Sequence, residues 1–362
     1  MMRKWFFTSI FGKNSSNMRI VNLSFCILLY ITSFAQQSET HLANLRQLTF
    51  GGDNAEAYFS PDSKKLCFQS NNPEWNLKCD QIFYMTIEEA ANNTSYQPLI
   101  VSTGKGRTTC SYYMPNGKDI IYASTHLSGD ACPPEPPKTG KYLWAIYETF
   151  DIFIADEKAK IKKQLTQTPG YDAEATVSPK GDKIVFTSTR NGDLDLYIMD
   201  INGKNVKQLT FDLGYDGGAF FSPDGTKIVF RASRPIGADT VEYKELLAKG
   251  LVAPTNMELY IINADGSGLR KITNLGKANW APFYHPSGKK IIFSSNHHSE
   301  RGYDFQLFMI NEDGTGLEQI TFESMFNAFP MFSPDGKKIV FSSNRNNNGT
   351  RDTNMFIADW VE

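Results

Sequence analysis

Acids, amides and guanidinium groups recur at fixed distances from a repeated proline. Seven residues ahead of Pro61, Pro115, Pro179, Pro223, Pro286 and Pro334 stand Asn54, Thr108, Asp172, Asp216, Asn279 and Asn327, all polar. Five residues ahead stand Glu56, Cys110, Glu174, Gly218, Ala281 and Phe329. Further on from each proline come Asn71, His126, Arg190, Arg231 with Arg234, His297 with His298, and Arg345, and Trp280 adjoins Asn279. Gathered at one mouth, these groups would suit an anionic or zwitterionic ligand or a peptide end, with the arginines as rigid hydrogen-bonding forks. The same residues could instead cap strands and pair neighbouring repeats.

Motifs of covalent or metal catalysis are missing. Gly266-Ser267-Gly268 reads as a hairpin turn, no HExxH stretch occurs, and Thr103-Gly104-Lys105-Gly106 lacks the spacing of a phosphate loop. His297 and His298 are adjacent, so on a strand they face opposite ways. Cys79, Cys110 and Cys132 are expected on one rim, and a disulfide among them would pin the chain after residue 127. With His126 they could make a Cys3His zinc site, but the spacing fits no local zinc pattern, and neither metal nor cofactor is assigned. Cys67 stands where a later repeat has Val340 and is expected in the core. His285 replaces the usual Ser before the proline and reads as a turn variant.

The elements that must position these residues are written in a repeated phrase. FSPDGKKIVFSSNRN at 332–346 returns as FSPDGTKIVFR at 221–231, VSPKGDKIVFTSTR at 177–190 and YFSPDSKKLCFQS at 58–70. The six prolines are spaced by 54, 64, 44, 63 and 48 residues, so the shortest unit falls in the range of a four-stranded propeller blade. Ser-Pro-Asp-Gly is a turn with a mechanism: Pro fixes φ, Asp bonds locally, and Gly takes the positive φ that closes the loop. A strand precedes it and a second follows, rich in β-branched and aromatic residues. A third, such as 306–310, ends in a second Gly turn, and a fourth reads Gln-Leu-Thr or Lys-Ile-Thr. The last copy lacks its fourth strand, while an unattached one, Arg46–Thr49, precedes the first copy. The expectation is therefore an all-β, six-bladed propeller of four-stranded antiparallel blades, closed by the N-terminal outer strand completing the last blade.

Two long insertions, 127–149 and 235–256, leave from the same face of this ring. The first contains Cys132-Pro133-Pro134-Glu135-Pro136-Pro137. The second is expected to hold a short helix with Asp239 as N-cap, Glu242 completing a capping box, Tyr243, Leu246 and Leu247 on one face, and Gly250 as its stop. Loops on one rim of a rigid scaffold are where function concentrates, so the insertion face is the expected working face.

The first 35 residues read as a signal peptide: Arg19, an apolar run from Ile20 to Phe34, and Ala35 as the cleavage site. Met18 could equally be the start. Residues 36–44 then read as a short linker and 45–362 as the propeller. Without residues 1–35 the balance is 33 basic against 39 acidic, which disfavours nucleic acid as a partner. No stretch after residue 35 is long and apolar enough to span a bilayer.

Repeated QLT, FSPDGKKIVFSS, LYIMD and DG elements, in order over about residues 45–360, resemble the TolB-like β-propeller family of exported bacterial envelope proteins. The resemblance implies a periplasmic or envelope location and a non-enzymatic module that binds an envelope protein or peptide at the propeller mouth. The family's namesake carries an α/β domain ahead of its propeller, whereas only about nine residues separate Ala35 from the first strand here, so that domain's role is not carried over. The alternative from the residues themselves is a propeller enzyme, or a small-ligand or peptide sensor, using the polar channel mouth.

Overall fold

The computed structural model describes residues 38–138 and 140–362; the signal-peptide expectation lies outside the described residues. Six four-stranded antiparallel sheets follow one another around an axis. Their innermost strands are Asp53–Phe59, Thr108–Tyr113, Asp172–Val177, Asp216–Phe221, Asn279–Tyr284 and Asn327–Phe332. We number the blades 1 to 6 in that order. Each continues outward through its second and third strands, paired residue by residue.

The core of every blade is one aromatic pair placed directly across those two strands. The pairs are Phe68 with Phe83, Tyr122 with Phe153, Phe186 with Tyr197, Phe230 with Tyr260, Phe293 with Phe308, and Phe341 with Phe356. Their ring centroids lie 5.8 to 6.3 Å apart. Directly opposed aromatics are a principal source of sheet stabilisation, which is why the repeat keeps an aromatic at this point of its second strand. The turn chemistry also follows the repeat: Ser222 and Ser333 donate to Asp224 and Asp335 at 2.6 Å, with Gly225 and Gly336 at φ 70° and 71°.

Ring closure follows the expected scheme, with a longer strand. Leu42–Gln47 pairs antiparallel with Asn354–Trp360, from Leu42 opposite Trp360 to Gln47 opposite Phe356. The strand thus begins within the stretch 36–44 read as a linker. Beyond it, Thr49 receives the Met355 N–H at 2.9 Å, just as Thr210 receives that of Leu196 in blade 3. The threonine of Gln-Leu-Thr therefore does in the closing blade what it does within the others. Glu39 reaches Arg345 of blade 6 at 2.9 Å and tightens the latch.

The two insertions meet. Trp144–Ala145 pairs with Leu251–Val252 as a small two-stranded sheet, and Lys141 pairs with Glu242. The expected helix runs from Ala238 to Leu247, but its N-cap is Gly237 at φ 58° with no side-chain cap bond. Asp239 lies inside the first turn, so the capping box does not form; there it still complements the helix dipole. Tyr243 is buried and donates to Asp193.

Candidate functional site: a lidded cavity on the propeller axis

Every innermost strand breaks its ladder at the same place. The register slips between Ala55 and Tyr58, and equivalently in all six blades. The residue at each slip adopts the left-handed conformation: Glu56, Cys110, Glu174, Gly218, Ala281 and Phe329 have φ from 48° to 59°. Five of the six are not glycine, so each stores conformational strain of order 1–2 kcal/mol. A β-bulge re-aims side chains, and here it turns this ring of positions towards the axis, where all six line one cavity of about 480 Å³.

The bulge N–H groups show how each blade is held and where the pattern fails. In blade 6 the Phe329 N–H donates to Ser294 of blade 5 at 3.0 Å. In blade 2 the Cys110 N–H donates to Gln69 of blade 1 at 3.2 Å. In blade 4 the Gly218 N–H donates to Glu174. Arg231 of blade 4 occupies the second-strand position equivalent to Gln69 and Ser294, where the acceptor for the next blade's bulge N–H, that of Ala281, would stand. A guanidinium cannot accept a hydrogen bond, so it swings inward, where a Cβ on Gly218 would collide with its Nη1. Glycine at 218 is what makes room for it.

Glu174 is saturated. It accepts from Gly218, from both the Tyr171 and Tyr215 hydroxyls, and from Arg231 Nη2 at 3.1 Å. Arg231 Nη2 also reaches the Tyr215 hydroxyl at 2.7 Å, and the guanidinium lies over Trp144 and Tyr215. Glu56 holds the corresponding place in blade 1 but forms no ion pair among the described residues. Burial pushes its carboxyl up to about 7, with Cys110 bonding and Arg231 opposing and Glu174 and Asp80 reinforcing. Cys110 is a free thiol held well above its ordinary pKa by burial and by both glutamates.

The 127–149 insertion roofs the cavity. Cys79 and Cys132 form a disulfide that ties it to blade 1, resolving the three-way choice and removing two of the thiols a Cys3His zinc site would need. Arg107 bridges Asp80 at 2.8 Å and Glu135 of the insertion. Tyr147 donates to the Pro134 carbonyl at 2.6 Å. Beneath the roof, Trp144 packs on Trp280 at 5.3 Å, and Trp280 stacks on Phe305 at 4.3 Å while donating to the Pro254 carbonyl of the second insertion.

Of the acids, amides, arginines, histidines and tryptophan expected at the mouth, Glu56, Glu174, Arg231 and Trp280 share this cavity with the uncharged bulge residues and Thr108. The others form a collar outside it. Asp172 pairs with Arg190 at 2.8 Å, and Asp216 with Arg234 through a second contact of 3.0 Å. Asn327 accepts from Arg345 at 2.9 Å. Asn54 donates to the Gly51 and Thr353 carbonyls, and Asn279 to that of Met257. Arg190, Arg234, Arg345, His126 and His297 each lie over the aromatic pair of their own blade, at 4.5 to 5.1 Å. His298 contacts Asp304 at 3.7 Å. These groups therefore close blade tops. Three of the four arginines expected to grip an anion are spent on acids and amides, and the fourth, Arg231, is balanced by Glu174. Sequence reasoning missed Tyr142, Trp144, Tyr171 and Tyr215 as cavity residues; the one available signal was that Tyr171 and Tyr215 each directly precede an aspartate of the collar.

A closed ring of six blades, with two insertions folded over one end of its channel, is a β-propeller with a lidded axial cavity. The chain belongs to the TolB beta propeller domain family, which matches residues 145–245 and 243–358. Among solved structures, TolB from Agrobacterium tumefaciens is 19% identical with a TM-score of 0.56, covering 88% of this chain and 97% of that one. TolB from Acinetobacter baumannii is 19% identical with a TM-score of 0.51, covering 86% of this chain and 64% of that one. An oligogalacturonate lyase from Vibrio parahaemolyticus is 13% identical with a TM-score of 0.46, covering 90% and 93%. At these identities the likeness is one of fold. No curated protein matches the chain.

Proposed function

We propose that this chain is an exported propeller of the bacterial periplasm or envelope that docks a protein or peptide partner on its insertion face. One observation carries the reading. Among the described residues, the seven most exposed large apolar side chains are Leu127, Tyr142, Phe211, Ile236, Val241, Tyr303 and Met325, from 58 to 80% exposed. All seven lie on connections that emerge on the insertion face, between second and third strands or between successive blades. The opposite face carries the tight turns. Solvent-facing apolar groups concentrated on one rim mark an interaction surface, and family membership supports a binding propeller. Export rests on the pattern of residues 1–35.

A photocrosslinking residue at Ile236 or Tyr303 should trap a discrete envelope protein. A Tyr142→Ser/Ile236→Ser/Tyr303→Ser variant, with unchanged thermal stability, should lose that partner. Equal crosslinking from Lys337 on the opposite rim, or full capture by the triple variant, would overturn the reading. Fusing residues 1–45 to a phosphatase active only outside the cytoplasm tests export separately.

A further inference from the structure

We propose that the axial cavity is a binding site for a small zwitterion, a free α-amino acid or dipeptide with an apolar side chain, held between Glu56 and Arg231. The inference does not rest on docking at the rim, because it concerns groups beneath the insertions.

Its basis is the contrast between two glutamates at one repeat position. Glu174 meets four donors and is fully occupied in holding blades 3 and 4 together. Glu56 has no such duty, because Gln69 already receives the Cys110 N–H that it could have taken. Its carboxyl is thus a charged or proton-bearing acceptor facing a cavity with no cationic partner among the described residues. Arg231, although balanced by Glu174, has donors to spare. Its Nη2 is engaged three times, while Nη1 has no hydrogen-bond partner among the described residues and Nε is buried without one. A ligand carboxylate meeting Nη1 would supply an acceptor that the described residues do not.

Position then selects the ligand. Blades 1 and 4 stand opposite each other in a six-membered ring, so Glu56 and Arg231 face across the channel. A simple anion would satisfy Arg231 but meet Glu56 and Glu174. A simple cation would satisfy Glu56 and leave the arginine donors bare. A molecule with an ammonium at one end and a carboxylate at the other answers both. The walls between are Trp144, Trp280, Tyr215 and Phe329, which suit an apolar side chain, and about 480 Å³ is at the small end of ligand pockets, suited to one or two residues.

A coupled proton follows. Burial holds the Glu56 carboxyl up at about 7, with Cys110, Glu174, Arg231, Asp80 and Tyr58 as its charged and titratable neighbours. An ammonium beside it favours the ionised form, so binding near neutral pH should release a proton.

The test is calorimetric titration of the purified protein with leucine, leucyl-leucine, N-acetyl-leucine and leucinamide in two buffers of different ionisation enthalpy. The expected result is binding of leucine or leucyl-leucine with proton release at pH 7, and at least about tenfold weaker binding of both blocked compounds. In Glu56→Gln, which keeps shape and fold, the penalty for N-acetylation and the proton release should both vanish. Arg231→Lys should remove the preference for a free carboxylate. Blocked compounds binding as well as their parents would overturn the proposal. So would the absence of heat and thermal shift with both free compounds at about 10 mM, where even a Kd of about 1 mM gives near saturation.

Discussion

Glu174 of blade 3 and Arg231 of blade 4 meet at 3.1 Å with both side chains buried, on an axis where neither is needed to close a β-ladder. Their contact joins neighbouring blades through a carboxylate that also receives the Gly218 bulge. Removing one member of such a pair leaves the other charged and unpaired, a loss of about 3–5 kcal/mol. Arg231→Met should therefore lower the free energy of urea unfolding by about that much. Glu174→Gln should cost somewhat less, since the amide oxygen still serves the Gly218 N–H. The double variant should recover part of both losses, and strict additivity would show that the two do not act as a unit.

The fold was legible because its determinants are local and repeated. Ser-Pro-Asp-Gly specifies its turn, an aromatic in the second strand specifies the blade core, and Gln-Leu-Thr specifies the outer strand, even where Thr49 serves a strand more than 300 residues away. The site was only half legible. A count back from each proline finds both Asp172 and Glu174, but the bulge at Glu174 decides that one faces the collar and the other the cavity. Nothing in the letters Glu56, Cys110 and Phe329 signals a positive φ. Nor does spacing reveal that Gln69 relieves Glu56 of the task that occupies Glu174. The roof was invisible for a different reason: two insertions about a hundred residues apart contribute one strand each.

Glu56 makes stability depend on pH in an unusual direction for a carboxylate. Its folded pKa, about 7, lies above its ordinary value of 4.5 because burial disfavours the charged form. The folded state then holds the proton more tightly than the unfolded chain. Its contribution is complete below about 4.5 and is lost as pH rises through the window to 7. At about 1.4 kcal/mol per pKa unit this is at most on the order of 3 kcal/mol, and less where channel water reaches the carboxyl. Asp195 and Asp216, raised to about 7 and about 6 by burial, act in the same direction. Glu56→Gln should therefore flatten, without abolishing, the fall in melting temperature between pH 4.5 and 7. An unchanged slope would show that Glu56 is not the group responsible.

The Cys79–Cys132 disulfide closes a long loop, its ends 53 positions apart in the sequence. In the chain-entropy account such a loop is worth up to about 4 kcal/mol, but here the constraint falls chiefly on the roof. Cys132→Ser should lower the melting temperature modestly and expose the 127–149 insertion to protease, while the blades stay resistant. The Arg107 bridge to Asp80 and Glu135 should hold the roof in part. Adding Arg107→Ala to Cys132→Ser should then accelerate cleavage further, followed as fragments by mass spectrometry. Equal protease resistance with and without reductant would place the roof's stability elsewhere.

Closure of the ring depends on a strand that is far from its partner in the chain and near it only in space. Leu42–Gln47 supplies the fourth strand of blade 6, Leu48 is buried beneath it, and Thr49 takes the Met355 N–H. Without this segment, Asn354–Trp360 becomes an edge with open donors and acceptors, a template for pairing between molecules. Arg345 also loses Glu39. A chain lacking residues 38–50 should unfold at lower urea concentration, with a smaller m-value as blade 6 frays ahead of the rest, and should form dimers or larger species by size-exclusion chromatography. Supplying the segment as a separate peptide should restore the monomer and the cooperative transition. A truncated protein that stays monomeric with an unchanged midpoint would mean that the ring holds without its latch.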